Sequence, residues 1–209
     1  MTETAKSDLT RKRILDAGHA LVLRHGFSGV GLSRILSESG VPKGSFYYYF
    51  ASKEAFGTAL LADYVKSYLE RVDALIAGPG PAGRKLDQFW DAWLAHSDDG
   101  TDAKTAGIAS ECLVVKLGAE VADLSEDMRE TLDRGVDALV GRIARLLRDG
   151  MQEGSVRPLD DPDCTARMLY AKWLGAAILA KLGRSDAALR MAREETSVQL
   201  SPTGDSLTT

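Results

Sequence analysis

Only three residues, Gly40-Val41-Pro42, separate two short segments that each read as a helix, LSRILSES over 32–39 and KGSFYYYF over 43–50. Leu32, Ile35 and Leu36 fall on one side of the first, and Gly40 ends it with a residue that tolerates positive φ. Pro42 stands at the entrance of the second. Ser52 follows it, in position to cap a further helix that begins SKEAF. Two helices joined by so tight a turn form a helix-turn-helix. Upstream, Ile14, Leu15, Ala17, Leu21 and Val22 recur at helical spacing between Thr10 and His25, where Gly26 supplies a stop.

The second helix of such a motif enters the DNA major groove while the first crosses the backbone. Its residues here suit that task. Lys43 offers a cation, Gly44 leaves the backbone bare for close approach to a phosphate, and Ser45 adds a hydroxyl. Phe46 and Phe50, four apart, face inward. Successive helical residues lie about 100° apart, so Tyr47, Tyr48 and Tyr49 cannot all be buried, and some present phenols to solvent or nucleic acid.

Beyond this block the pattern stays helical. Helices are expected over Ser52–Ala77, around Leu86–His96, and over Thr105–Leu117, Glu126–Gln152 and Asp163–Gly183, with a loop at Ser97–Asp102. No stretch alternates as a strand does, so the fold class is all-α: an N-terminal three-helix head and a C-terminal helical domain. The expected boundaries are 1–55 for the head, 56–198 for the second domain and 199–209 for a disordered tail. No apolar run approaches the roughly 20 residues of a membrane span, and Met1–Lys12 lacks the apolar core of a secretory signal, so a cytoplasmic protein is expected. Gly78, Gly80 and Gly83 spell a dinucleotide fingerprint, yet Pro79 and Pro81 interrupt it and no strand precedes it. His19, His25 and His96 lack metal-ligand spacing, and no nucleophile motif is present, so neither a cofactor nor an enzyme is expected.

The net charge of −4 argues, taken whole, against a nucleic-acid partner. Its distribution reverses that. Up to Ala55 eight basic side chains face five acidic ones, a net of +3, which leaves −7 for the remainder.

The block Arg13–Ala55, with ILDAG, RHGF, ILSESGVPKGSFYYYF and SKEAF, resembles the TetR family of bacterial transcriptional regulators. The resemblance implies a DNA-binding head, a helical ligand-sensing and dimerisation domain, and repression relieved by an inducer. By position it implies DNA contacts from Ser33, Lys43, Gly44, Ser45, Tyr47, Tyr48 and Lys53. The partners implied are a pseudo-palindromic double-stranded operator and a second copy of the chain, joined through its final helices, with Gly175, Ala176, Ala177 and Ala180 permitting close helix contact. One departure is Gly31, where the family usually places Thr or Ser to cap the second helix.

Further on, SECLVVKLGAEVADLSEDMR (110–129) and LYAKWLGAAILAK (169–181) resemble the NemR-type branch, whose members respond to reactive electrophiles. That likeness implies a sensor at Cys112 with Lys181 as its partner. The residues alone leave more open. Lys116, four on, would share a helical face with Cys112 and lower its pKa, whereas Glu111 would raise it, and cysteine is often simply buried. Cys164 reads as a bystander. Tyr68, Trp90, Trp93 and Trp173 suit either plain core or the lining of an apolar ligand pocket. Three readings therefore stand at this level: a repressor released by modification of Cys112, a repressor induced by a reversible ligand such as a small carboxylic acid with Cys112 as packing, and a helical binding or interaction module whose head no longer binds DNA.

Overall fold

The computed structural model describes residues 3–94 and 107–202, and all regular elements among them are α-helices. They are α1 (Glu3–His25), α2 (Leu32–Ser39), α3 (Lys43–Tyr49), α4 (Lys53–Ala77), α5 (Ala82–Leu94), α6 (Ile108–Glu111), α7 (Leu113–Leu124), α8 (Glu126–Glu153), α9 (Pro162–Gly183) and α10 (Ala187–Leu200). His96, the Ser97–Asp102 loop and residues 203–209 of the expected tail lie outside the described residues. No described helix is long and apolar enough to cross a membrane.

Two compact units emerge. The first comprises residues 1–67 and 116–135, the second residues 68–115 and 136–209. The chain thus passes between them inside α4, α7 and α8.

In the first unit, α2 ends at Gly40, whose φ of 63° is open to glycine without strain, and its N–H returns to the Leu36 carbonyl. Pro42 then opens α3, with the Ser45 N–H donating to its carbonyl at 3.0 Å. Ser52 caps α4, its hydroxyl accepting the Ala55 N–H at 3.0 Å. The core closes around Phe46, Phe50 and Phe56, whose ring centroids lie 5.2–5.5 Å apart, in tilted and edge-on contacts. Burying each of these rings contributes roughly 2–3 kcal/mol. Also buried in this unit are Ile14, Leu15, Val22, Phe27 and Ile35, and from the later segment Leu117, Val121 and Met128.

The second unit is built on three tryptophans. Trp90 and Trp173 stack at 4.8 Å, and Trp93 meets Trp173 edge-on at 5.9 Å, with all three at most 1% exposed. Asp161 caps α9, its carboxylate accepting the N–H groups of Asp163 and Cys164, with Pro162 in the first turn. α10 packs on α9 and α5. Thr196 accepts the Trp173 indole N–H at 3.1 Å, while Arg193 reaches Asp87 and Asp91 of α5 at 2.9 and 2.6 Å.

Four elements differ from the sequence expectation, among them α5, which begins at Ala82 and not at Leu86. α1 begins seven residues earlier, at Glu3. α10 was not anticipated, because its buried stripe of Leu189, Ala192, Thr196 and Leu200 offers little hydropathic contrast, and it takes in Gln199 and Leu200 of the expected tail. The helix expected over Thr105–Leu117 is broken at Cys112, which is extended (φ −68°, ψ 113°) between α6 and α7. No Gly or Pro marks that break. Cys112 and Leu113 are both buried, so packing fixes it.

Gly57 of α4 has no room for a side chain: an added Cβ would lie 2.6 Å from the Phe27 ring and 2.8 Å from the Met128 sulfur. Gly57→Ala is expected to lower stability by about 1–3 kcal/mol, read as an earlier midpoint in urea unfolding.

Candidate functional site

The head presents one polar, cationic face. Lys43 and Gly44 are exposed, Ser45 is half-buried, and Tyr47 and Tyr48 are 47% and 78% exposed, while Phe46 and Phe50 are buried as the pattern requires. Exposed Ser33 stands in the first turn of α2. The Lys43 ammonium lies 5.9 Å from the Tyr47 ring centroid, so cation and phenol form one surface. Tyr49 faces elsewhere: its hydroxyl accepts from Ser7 of α1 at 3.2 Å, which ties the early turns of α1 to the end of α3. A Cβ added at Gly44 would meet no atom within 4 Å beyond its own helix backbone and chain neighbours. Packing within the chain therefore does not require a glycine at this position. Gly31 precedes α2 without a side-chain cap, as the departure from the family pattern implies.

Lys53 is placed differently from the others. Its ammonium donates to the Phe27 carbonyl at 2.9 Å and sits 4.6 Å over the Phe27 ring. Burial draws its pKa down, and Glu120 partly offsets this. Glu120 completes the arrangement on the other side of Phe27. Its carboxylate accepts the Phe27 N–H at 3.1 Å and the Ser28 N–H at 2.6 Å. Burial alone would raise the Glu120 carboxyl, but these hydrogen bonds and Lys53 outweigh it and hold it below the usual glutamate range. Sequence reading missed Glu120, since its partners lie more than ninety residues away and carry no side-chain signal.

In the second unit Cys112 is 3% exposed and Tyr68 and Tyr170 are similarly buried. Burial, reinforced by the nearby Cys112 sulfur, pushes both phenols well above their ordinary range. Both remain neutral donors at physiological pH. Tyr170 joins the tryptophan cluster, 6.1 Å from Trp93, and is a member that the sequence reading did not single out. A cavity of about 290 Å³ opens nearby, lined by Trp93, Ala109, Ser110, Lys181, Arg184 and Leu189 among others. Lys181 is thus at its wall. Trp90 and Trp173 are stacked core. Cys112 stands immediately before α7 in extended conformation, so the single continuous helix expected to carry it and half-buried Lys116 is interrupted at the cysteine. Cys164 is exposed in the first turn of α9. No cluster of three or more metal-ligating side chains occurs among the described residues.

A helix-turn-helix head with a cationic, phenol-bearing second helix, set on a chain whose other unit has a small cavity, defines a DNA-binding transcription regulator. Residues 14–60 match the model of bacterial regulatory proteins of the tetR family, and residues 82–196 match that of the tetracyclin repressor-like C-terminal domain. The chain belongs to the TetR family. It is 40% identical to the HTH-type transcriptional repressor NemR of Escherichia coli K12 over 177 residues, 84% of this chain and 86% of NemR. It is also 32% identical to the transcriptional regulator AcuR of Cereibacter sphaeroides, over 84% of this chain and 78% of AcuR. Among solved structures, the reduced form of E. coli NemR aligns with a TM-score of 0.85 at 37% identity, covering 93% of this chain and 98% of that one. These relatives are regulators of transcription, not enzymes.

Gly44→Ala separates DNA approach from folding. Alanine favours the helix by up to about 1 kcal/mol over glycine, so the melting temperature is expected to hold or rise, while affinity for operator DNA measured by fluorescence anisotropy falls.

Proposed function

We propose that the chain is a cytoplasmic, homodimeric repressor that binds a pseudo-palindromic operator and releases it when Cys112 is modified by a reactive electrophile or oxidant. The observation that carries the sensing half is the setting of Cys112. Its buried thiol stands at the junction of α6 and α7 beside the Tyr68 and Tyr170 hydroxyls. Neutral phenols can donate to a thiolate and so favour the nucleophilic form. An adduct on a sulfur packed this closely overfills the core, and cores relieve overfilling by shifting backbone. Release then follows if the shifted state binds the operator less well. Lys181 serves as the candidate partner of Cys112, from the wall of the neighbouring cavity.

On the DNA side, Lys43, Gly44, Ser45, Tyr47 and Tyr48 of α3 and Ser33 of α2 meet phosphates and base edges. Lys53 supports them through Phe27. A second copy pairs through the last two helices, where Met168, Leu179 and Leu182 of α9 and Met191 and Val198 of α10 are each at least 61% exposed. Of the small residues expected there, Gly175 belongs to this exposed face, whereas Ala176 and Ala177 are used inside the protomer. A two-fold axis through it places two recognition helices about 34–36 Å apart on one side of the duplex.

The cavity supports a second reading, in which a small anion such as a carboxylic acid binds reversibly between Lys181 and Arg184 over Trp93, and Cys112 is packing. Gel-shift titration on the DNA upstream of the gene decides between them. It should be run in a Cys164→Ser background, since that exposed thiol also reacts, with and without N-ethylmaleimide. Release of the parent but not of Cys112→Ser is the expected result. Equal release of both, or of neither, removes Cys112 as sensor, and no shift at any concentration supports an interaction module instead. Lys43→Ala is expected to weaken binding and flatten the dependence of log K on log salt by about one per head, and an unchanged slope counts against its phosphate contact.

A further inference from the structure

We propose that Glu120 is a positioning residue for operator binding: from α7 it holds the turn that sets α2, and it does so at an electrostatic cost to DNA attraction. The turn between α1 and α2 has modest local support: the Gly26 N–H donates to the Val22 carbonyl at 2.9 Å and the Val30 N–H to the Phe27 carbonyl at 3.3 Å. Gly31 gives α2 no side-chain cap, and the N–H groups of Phe27 and Ser28 find their partner far along the chain. The two carboxylate oxygens of Glu120 take the consecutive N–H groups of Phe27 and Ser28, at 3.1 and 2.6 Å. Lys53 takes the Phe27 carbonyl at 2.9 Å, so that one peptide unit is gripped by opposite charges from α7 and α4. Two charge-assisted bonds from one carboxylate fix direction as well as distance. Ser33, in the first turn of α2, inherits that direction.

An anion in this position is unfavourable for the task of the head. A carboxylate near a phosphate-binding surface weakens attraction to DNA, and its neutralisation should tighten binding if the field were all that mattered. Positioning predicts the opposite sign, which makes the two accounts separable in one measurement. The inference rests on the operator-binding half of the reading above and is independent of Cys112.

The test uses the full chain as wild type, Glu120→Gln, Glu120→Ala and Glu126→Gln. Glu126 is an exposed acid of the same unit, paired with Arg129, and its variant removes the same charge without touching the turn. Operator affinity is measured by anisotropy across a salt series, with active concentration fixed by stoichiometric titration so that partial unfolding lowers the end point and not the affinity. Both Glu120 variants are expected to raise Kd about tenfold, the scale of a lost hydrogen bond to a charged group, with the salt slope unchanged because no phosphate-binding cation is removed. Glu126→Gln is expected to leave Kd unchanged or slightly lower. A Glu120 variant that binds as tightly as wild type or more tightly overturns the positioning role alone. A wild type that binds no upstream duplex overturns that role together with the operator reading.

Discussion

The DNA-binding unit depends on how one residue, Phe27, is fixed. Its ring is 4% exposed and lies against Gly57, where even a methyl group would collide. Its N–H and carbonyl are taken by a carboxylate and an ammonium from two different helices. Backbone groups in a short interhelical turn must find partners somewhere, and here a local bond from the Val30 N–H to the Phe27 carbonyl is joined by charged partners distant in sequence. The apolar core of the unit sets where α1, α2 and α4 can lie. The polar grip on Phe27 sets how the chain leaves α1 to begin α2.

Most of the head was legible from local signals, because each is a short-range preference: Gly40 as a stop, Pro42 as an entrance, Ser52 as a cap, and Phe46 and Phe50 at helical spacing. The exposed faces followed from periodicity alone. What escaped was whatever depends on tertiary partners. Tyr49 has the same sequence surroundings as Tyr47 and Tyr48, yet only a residue 42 positions away decides that its hydroxyl turns to Ser7. Lys53 looks like any basic residue beside a DNA-binding helix until the Phe27 carbonyl is placed. α10 escaped for a different reason: alanine and threonine take the two central positions of its buried stripe, so its amphipathic contrast is low even though it carries the Thr196 acceptor for Trp173.

The second unit shows a similar division. The aromatic residues were visible as a group; the three tryptophans are almost fully enclosed, and of them Trp93 borders the cavity. The break at Cys112 was invisible, since LVVKL on one side and IASE on the other both favour helix. A cysteine held at a helix junction is a more consequential place for chemistry than one in mid-helix, because a junction can change angle without breaking a continuous hydrogen-bond ladder.

The first unit is assembled from two pieces of chain, residues 1–67 and 116–135, with nearly fifty residues between them. On the ribosome this imposes an order. Helices α1 to α3 emerge early, but Glu120, Val121 and Met128 arrive only after the intervening segment has been made. The head therefore completes its core through a long loop closure, whose entropy is recovered only when the later helices dock. A nascent or truncated chain that ends before residue 116 has the recognition helix and Lys53 but lacks Glu120, the carboxylate half of the grip on Phe27.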